Sequence, residues 1–153
     1  MSAKIFRPDK LPETCIDSRD SLMTTLYLAM AAGGEKLYAN IDRLQPGAKS
    51  CKFHSHSKQE EFFMILKGEG TVRLGNETLA VRAGDYFCKP AGKAIAHQFV
   101  NTSAEVMEIL DVGLVIKADE VFYPDENVTY IKAEKKFYKD GQIMKDWSTD
   151  ANN

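Results

Sequence analysis

From about residue 35 to residue 117, short runs rich in Val, Ile, Phe, Tyr and Leu alternate with turn signals roughly every 8 to 12 residues. That spacing belongs to an antiparallel sandwich or barrel. The pattern predicts a strand over Leu37 to Leu44, stopped at Gln45-Pro46-Gly47, and a second strand over Cys51 to His56. Glu61 to Lys67 is apolar at both parities, with Phe63 and Ile65 on one face and Phe62, Met64 and Leu66 on the other. Such a run is expected of a strand covered on both sides. Thr71 to Leu74 and Thr78 to Arg82 flank Gly75-Asn76-Glu77 as a hairpin. Tyr86 to Cys88, the stiff loop Lys89-Pro90-Ala91-Gly92, Ala96 to Asn101 and Glu105 to Val115 complete the series.

The flanks read differently. Leu22 to Ala32 is rich in Leu, Met and Ala and ends at Gly33-Gly34, which favours a short helix over a competing N-terminal strand. After residue 119, Val128 to Ile131 is strand-like, and Asp140-Gly141 between apolar and aromatic residues signals a hairpin. Asp150 to Asn153 is expected to fray. The domain plan is an N-terminal extension (1–34), an all-β barrel (35–118) and a C-terminal extension with a hairpin (119–153).

Composition narrows the function. Net charge is -2, with acidic and basic residues interspersed, so no stripe exists to neutralise a run of phosphates and no nucleic-acid partner is expected. The longest apolar stretch, near Leu26 to Ala32, is far short of the ~20 residues of a membrane span, and charges with Pro8 break up the start of the chain before any signal-peptide core. Cys15, Cys51 and Cys88 are odd in number and widely spaced, which fits neither a disulfide framework nor a thiolate zinc site. Buried structural thiols in a reducing cytoplasm are expected.

The histidines carry the chemistry. Only three occur, in His54-x-His56-x4-Glu61 and His97-x3-Asn101. Strand alternation points His54 and His56 to one side of their strand, with Cys51 and Phe53 on the other. The four residues 57–60 are enough to turn the chain and bring Glu61 alongside. His97, Phe99 and Asn101 share a face, so a third imidazole can arrive from across a closed sheet. Imidazole and carboxylate together suit a divalent first-row metal.

With their flanking residues, the two patterns are Gly47-x6-His54-x-His56-x4-Glu61-x6-Gly68 and Gly84-x5-Pro90-x-Gly92-x4-His97-x3-Asn101. They resemble the paired motifs of the cupin superfamily, and the resemblance covers the strand series from about residue 35 to 117. It implies an antiparallel double-stranded β-helix, or jelly-roll barrel, with short N- and C-terminal extensions. It also implies metal ligands at His54, His56, Glu61 and His97, with Gly47, Gly68, Gly84, Pro90, Gly92 and Asn101 holding turns and register. Glu60 is the competing carboxylate. Glu61 is preferred because its distance from Gly68 matches the family spacing. The Gly47–His54 and Gly92–His97 gaps, at six and four residues, are longer than the common five and two. Both extra lengths fall in turns, where insertions are tolerated.

The resemblance implies one divalent transition metal (Fe, Mn, Ni or Zn) and a small-molecule ligand or substrate. Four protein ligands on an octahedral ion leave two positions open. The expected function is therefore a metal-dependent enzyme of oxygenase, decarboxylase or isomerase type acting on a small polar metabolite. The alternative is a non-catalytic binding module for a small molecule or sugar acid. Tyr27, Tyr38, Tyr86 and Arg73 are candidates for the cavity mouth, and a homodimer formed by sheet extension or strand exchange is expected.

Overall fold

The computed structural model describes residues 5–18 and 22–153. In chain order its strands are β1 (Ile16–Asp17), β2 (Met23–Tyr27), β3 (Leu37–Leu44), β4 (Ser55–His56), β5 (Glu61–Lys67), β6 (Glu69–Leu74) and β7 (Glu77–Arg82). There follow β8 (Tyr86–Lys89), β9 (His97–Val100), β10 (Met107–Leu114), β11 (Glu120–Tyr123), β12 (Val128–Ile131), β13 (Lys136–Lys139) and β14 (Gln142–Met144). A one-turn helix, α1 (Leu28–Ala32), separates β2 from β3. The fold is all-β. No helix among the described residues is long and apolar enough to cross a membrane.

The strands form an antiparallel jelly roll. One sheet runs β1-β2-β3-β10-β5-β8, a second runs β14-β13-β12-β11-β4, and a third runs β7-β6-β9. The first and third close on a core of Leu44, Phe63, Ile65, Val72, Phe99, Met107 and Ile109, each at an inward parity of its strand. A smaller cluster of Val121, Tyr123 and Val128, packed by Phe137 and Trp147, lies under the C-terminal sheet.

Most strand boundaries match the sequence pattern, and the departures have physical causes. Leu22 to Ala32 is not one helix. Met23–Tyr27 pairs with β3 in register, burying Met23 and Leu26, and only Leu28–Ala32 coils. Two threonines favour extension in the first half. Gly33, left-handed at φ 83°, ends the coil and turns its N–H back to the carbonyls of Ala29 and Met30.

Cys51 to His56 is not one strand either. Its residues bridge in turn to Asp150, His97 and β11, so ladder pairing survives only at Ser55–His56. β5 is covered on its inner face alone. Phe63 and Ile65 are buried, while Phe62 and Met64 are half-buried and Leu66 is exposed.

Of the three thiols, Cys15 is buried, Cys51 half-buried and Cys88 exposed, because Cys88 takes the outward parity of β8. The chain end is docked rather than frayed: the Asn152 side chain accepts from Lys49 N–H (2.8 Å) and donates to Lys49 C=O (2.9 Å). Asn101 is fully buried. Its amide donates to the carbonyls of Leu44 and Glu105, and its oxygen accepts from Ser103, which ties the β9–β10 turn to the end of β3.

Candidate metal centre and cavity

Register across the first sheet arranges the inward side chains in rows. Nearest the mouth, Tyr38 (β3), Gly113 (β10), Glu61 (β5) and Lys89 (β8) lie side by side. Two residues deeper come Asn40, Asp111, Phe63 and Phe87, and below them Asp42, Ile109 and Ile65. The interior thus changes from charged to apolar within two rows.

Three ligand-type side chains meet at the charged end. One ligand atom each from His54, His56 and Glu61 lies within 4.8 Å of the other two. His54 is set by a backbone bridge to His97, each N–H donating to the other's carbonyl (3.2 and 2.9 Å). His56 is set by β4 pairing with β11. Glu61 opens β5 at inward parity and is buried, whereas its neighbour Glu60 is exposed.

The outer ring nitrogens are already committed. His54 Nδ1 lies 2.7 Å from the Lys52 carbonyl, and His56 Nδ1 lies 2.6 Å from Asp119 Oδ2. Each contact takes the Nδ1 proton, so Nε2 is the ring atom each imidazole turns toward the cluster, the arrangement by which metal-binding imidazoles are oriented. Asp119 is fully buried and held by the N–H groups of Lys58 and Gln59, by Ser57 Oγ and by Lys132 Nζ (2.9 Å). Glu61 Oε1 stands 3.1 Å from His56 Nε2, while Oε2 is buried with no well-directed hydrogen bond. The chemistry of this donor set fits a divalent transition metal.

The fourth histidine-motif residue is held differently. The His97 ring lies 4.7 Å from that of His54, centroid to centroid, but His97 Nδ1 is 2.8 Å from Lys89 Nζ. The same Nζ is 2.6 Å from Glu61 Oε2, and Lys89 is 2% exposed. A lysine this deeply buried needs a partner. Here Glu61 supplies the opposite charge.

Electrostatics follow from this crowding. Burial alone would raise Glu61, but the His56 hydrogen bond and the neighbouring His97 and Lys89 outweigh it and hold the carboxyl well below its usual range. Asp119 is likewise held low against burial by His56, Lys132 and the Lys58 N–H. Burial, then the neighbouring Lys89 and His56 charges, lower His54 to about 3. Burial, Lys89 and His54 lower His97 in the same way. Burial also lowers Lys89, opposed by Glu61. The imidazoles of His54 and His97 are neutral, as ligation requires.

A cavity of about 790 Å³ opens beside the cluster, with Tyr38, Asn40, Gln59, Glu61 and Asp111 among its polar lining residues. Glu61 is the residue shared by cavity and cluster. The Tyr38 hydroxyl is 2.9 Å from Glu61 Oε1 and 3.0 Å from Asp111 Oδ1, and Gln59 Nε2 donates to it at 3.2 Å. One phenol proton cannot serve two carboxylates. Burial, then Asp42 and Glu61, raise Asp111 well above the ordinary carboxyl range. Tyr38 therefore links the two carboxyl groups through one hydroxyl, and Asp111, the raised one, is the readier of the two to hold a proton. Tyr38 keeps its proton because burial and the nearby acids raise it.

Gly113 makes this network possible. A Cβ there would lie 2.5 Å from the Tyr38 hydroxyl and 2.6 Å from the ring, so only a glycine lets Tyr38 lean across β10 to Glu61.

Of the four side chains considered for the mouth, Tyr38 alone lines the cavity. Tyr27 donates to Asp17, Tyr86 is exposed on the outer face, and Arg73 lies over Phe53 and pairs with Asp125. Lys89, Asp111, Asp119 and Gln59 were not singled out from sequence. Lys89 carried a readable signal, since it continues the inward parity of Phe87. Asp119 carried none, because its contact with His56 spans 63 residues.

Comparison with known proteins agrees with this architecture. The cupin domain family model matches residues 40–113. A protein from Silicibacter pomeroyi called a sugar phosphate isomerase of the cupin superfamily superposes with a TM-score of 0.72 at 25% identity, covering 88% of this chain and 90% of its own. A putative sugar phosphate isomerase from Acidithiobacillus ferrooxidans gives 0.68 at 24% identity, over 80% of this chain and 74% of that one. A predicted oxalate decarboxylase from Thermotoga maritima gives 0.62 at 20% identity, over 74% and 100%. No curated protein matches. Residues 40–113 thus form a cupin domain, in agreement with the two histidine motifs and the antiparallel jelly roll.

Proposed function

We propose that this cupin binds one divalent transition metal through His54, His56 and Glu61 and catalyses proton-transfer chemistry, of isomerase type, on a small polyoxygenated metabolite. The observation that carries the reading is the convergence of three ligand atoms within 4.8 Å beside a cavity floored by proton-bearing groups. The similarity to the Silicibacter pomeroyi protein, itself called a sugar phosphate isomerase, supports the same class.

A bound metal would supply Lewis-acid polarisation of a substrate oxygen. The chain's own residues do the rest. Asp119 and the Lys52 carbonyl hold the two imidazoles in the ligating tautomer. Gln59 and Tyr38 both donate to Glu61 Oε1 and so fix that carboxylate at the cavity. Asp111, raised by burial and hydrogen-bonded to Tyr38 at the cavity, is the candidate group for passing a proton to or from a substrate oxygen. His97 is the fourth candidate ligand, and Lys89 competes for it.

A specific feature favours a second reading, a binding module without turnover. Lys89 already neutralises Glu61, so the centre is electrostatically complete without an ion. The two readings separate in one experiment. Metal-analysed protein is incubated with a panel of hydroxy-aldehydes and hydroxy-ketones in D2O, and deuterium at the carbon next to the carbonyl is followed by NMR. Metal-dependent incorporation, lost on chelation, is expected. Saturable binding with no exchange in the metal-loaded protein establishes the binding module instead.

A further inference from the structure

Both acids and lysines line the cavity. Of the acids, Glu61 is paired with Lys89 and Asp111 accepts from the Tyr38 hydroxyl. The lysines are Lys117, Lys132 and Lys135. Lys132 is committed, with Nζ on Gln59 Oε1 and Asp119 Oδ2. Lys117 follows the end of β10 and Lys135 sits in the β12–β13 turn, and both are exposed. Neither has a side-chain partner among the described residues. Glu134, the carboxylate next to Lys135 in sequence, is taken by the Tyr138 hydroxyl.

Two ammonium groups without counter-ions therefore line one cavity. Val115, Ile116 and Tyr130 line it as well and would cover a short carbon chain. The volume, about 790 Å³, exceeds what an ion-chelating fragment alone would fill and lies within the range of small-molecule sites.

We propose that Lys117 and Lys135 form an anion subsite, so that the ligand is a polyol with a phosphate or carboxylate at the end remote from Glu61. This rests on the reading that the cavity is the ligand site, and it does not require that the ligand be turned over. Ammonium groups bind phosphate or carboxylate as charge-assisted donors. Cavity walls of lower dielectric strengthen the contact relative to open water.

The test uses the full chain, metal-loaded and metal-free. Inorganic phosphate is titrated while the amides of residues 115–117 and 132–136 are followed by NMR. Ribose 5-phosphate, ribonate and ribose are then compared by calorimetry. Saturable shifts confined to those amides are expected, with the two anionic probes binding at least tenfold more tightly than ribose and weakening as NaCl rises from ~50 to ~200 mM. The arm that binds better identifies phosphate or carboxylate.

Lys117→Met with Lys135→Met should erase the preference, roughly tenfold for each lysine. Metal content should be unchanged, and so should binding in Lys67→Met, which lies on another face. Absence of saturable phosphate shifts, ribose binding as tightly as the anions, or a double variant that keeps the preference overturns the subsite. Loss of metal binding in the wild-type protein would count against the metal reading alone, since the phosphate titration is also run without metal.

Discussion

The base and the mouth of this barrel are built on the same strands, yet they are governed by different physics. At the base, Leu44, Ile65, Val72, Phe99, Met107 and Ile109 are each 2% exposed or less, and their contribution is burial that tolerates any well-packed apolar set. Two rows higher, Glu61, Lys89, His56 and His97 are also buried and Tyr38 and His54 half-buried, but each needs a specific partner at hydrogen-bond distance. The base stabilises without specifying chemistry. The mouth specifies chemistry at a cost that the base must offset.

Five substitutions break or sharpen that contrast. The largest effect is expected at the base. Phe99→Ala should lose about 3–5 kcal/mol in denaturant titration, while metal affinity per folded molecule stays near wild type. A comparable loss of affinity in folded protein would show that base and mouth are not separable.

Lys89→Met gives a similar stability loss with the opposite functional sign. Removing one member of a buried ion pair costs about 3–5 kcal/mol in the metal-free protein. A divalent ion should restore it, because Glu61 then regains a positive partner. His97 is freed at the same time, so affinity in a chelator competition should rise by about tenfold or more. An affinity unchanged or lowered would mean that Lys89 does not compete with the ion.

Asp119→Asn should weaken metal binding by roughly 10–100-fold with a small change in melting temperature, since it disturbs the partner of a ligand rather than a ligand. Gly113→Ala drives a methyl into Tyr38 and should cost about 1–3 kcal/mol. Its diagnostic feature is a changed ultraviolet signal from Tyr38, and combining Gly113→Ala with Tyr38→Ala, which removes the clashing ring, should make the alanine at 113 nearly neutral relative to Tyr38→Ala alone.

The smallest effect concerns pH. Burial, then Asp42 and Glu61, hold the Asp111 pKa above that of an unfolded aspartate. Between that value and the raised native one the fold binds the extra proton, so wild-type stability falls as pH rises through the window. Asp111→Asn cannot ionise and should lack that decline. Glu61 works in the reverse direction: held low in the fold, it adds stability above the usual carboxyl range that is lost as pH falls below it. Parallel stability curves for wild type and Asp111→Asn between pH 4 and 8 would exclude a proton on Asp111.

Much of this was legible in the chain. Period-two alternation placed Phe63, Ile65 and Phe99 inward, and the motif spacing picked out His54, His56 and Glu61, because alternation and turn chemistry are local. Cys51–His56 misled for the opposite reason: its strand-like composition is divided among three partners far away in sequence. The docking of Asn152 on Lys49, 103 residues apart, had no local signature.

What the sequence alone determined is the jelly-roll class, the inward faces and the supply of three imidazoles with one carboxylate, since side-chain parity follows from backbone geometry. Only the tertiary structure decided that Lys89 stands between Glu61 and His97, that Tyr38 crosses an absent Cβ at Gly113 to reach Glu61, and that Asp119 orients His56. Those contacts depend on the register between strands distant in sequence, and register is fixed by the packing of the whole sheet rather than by any one segment.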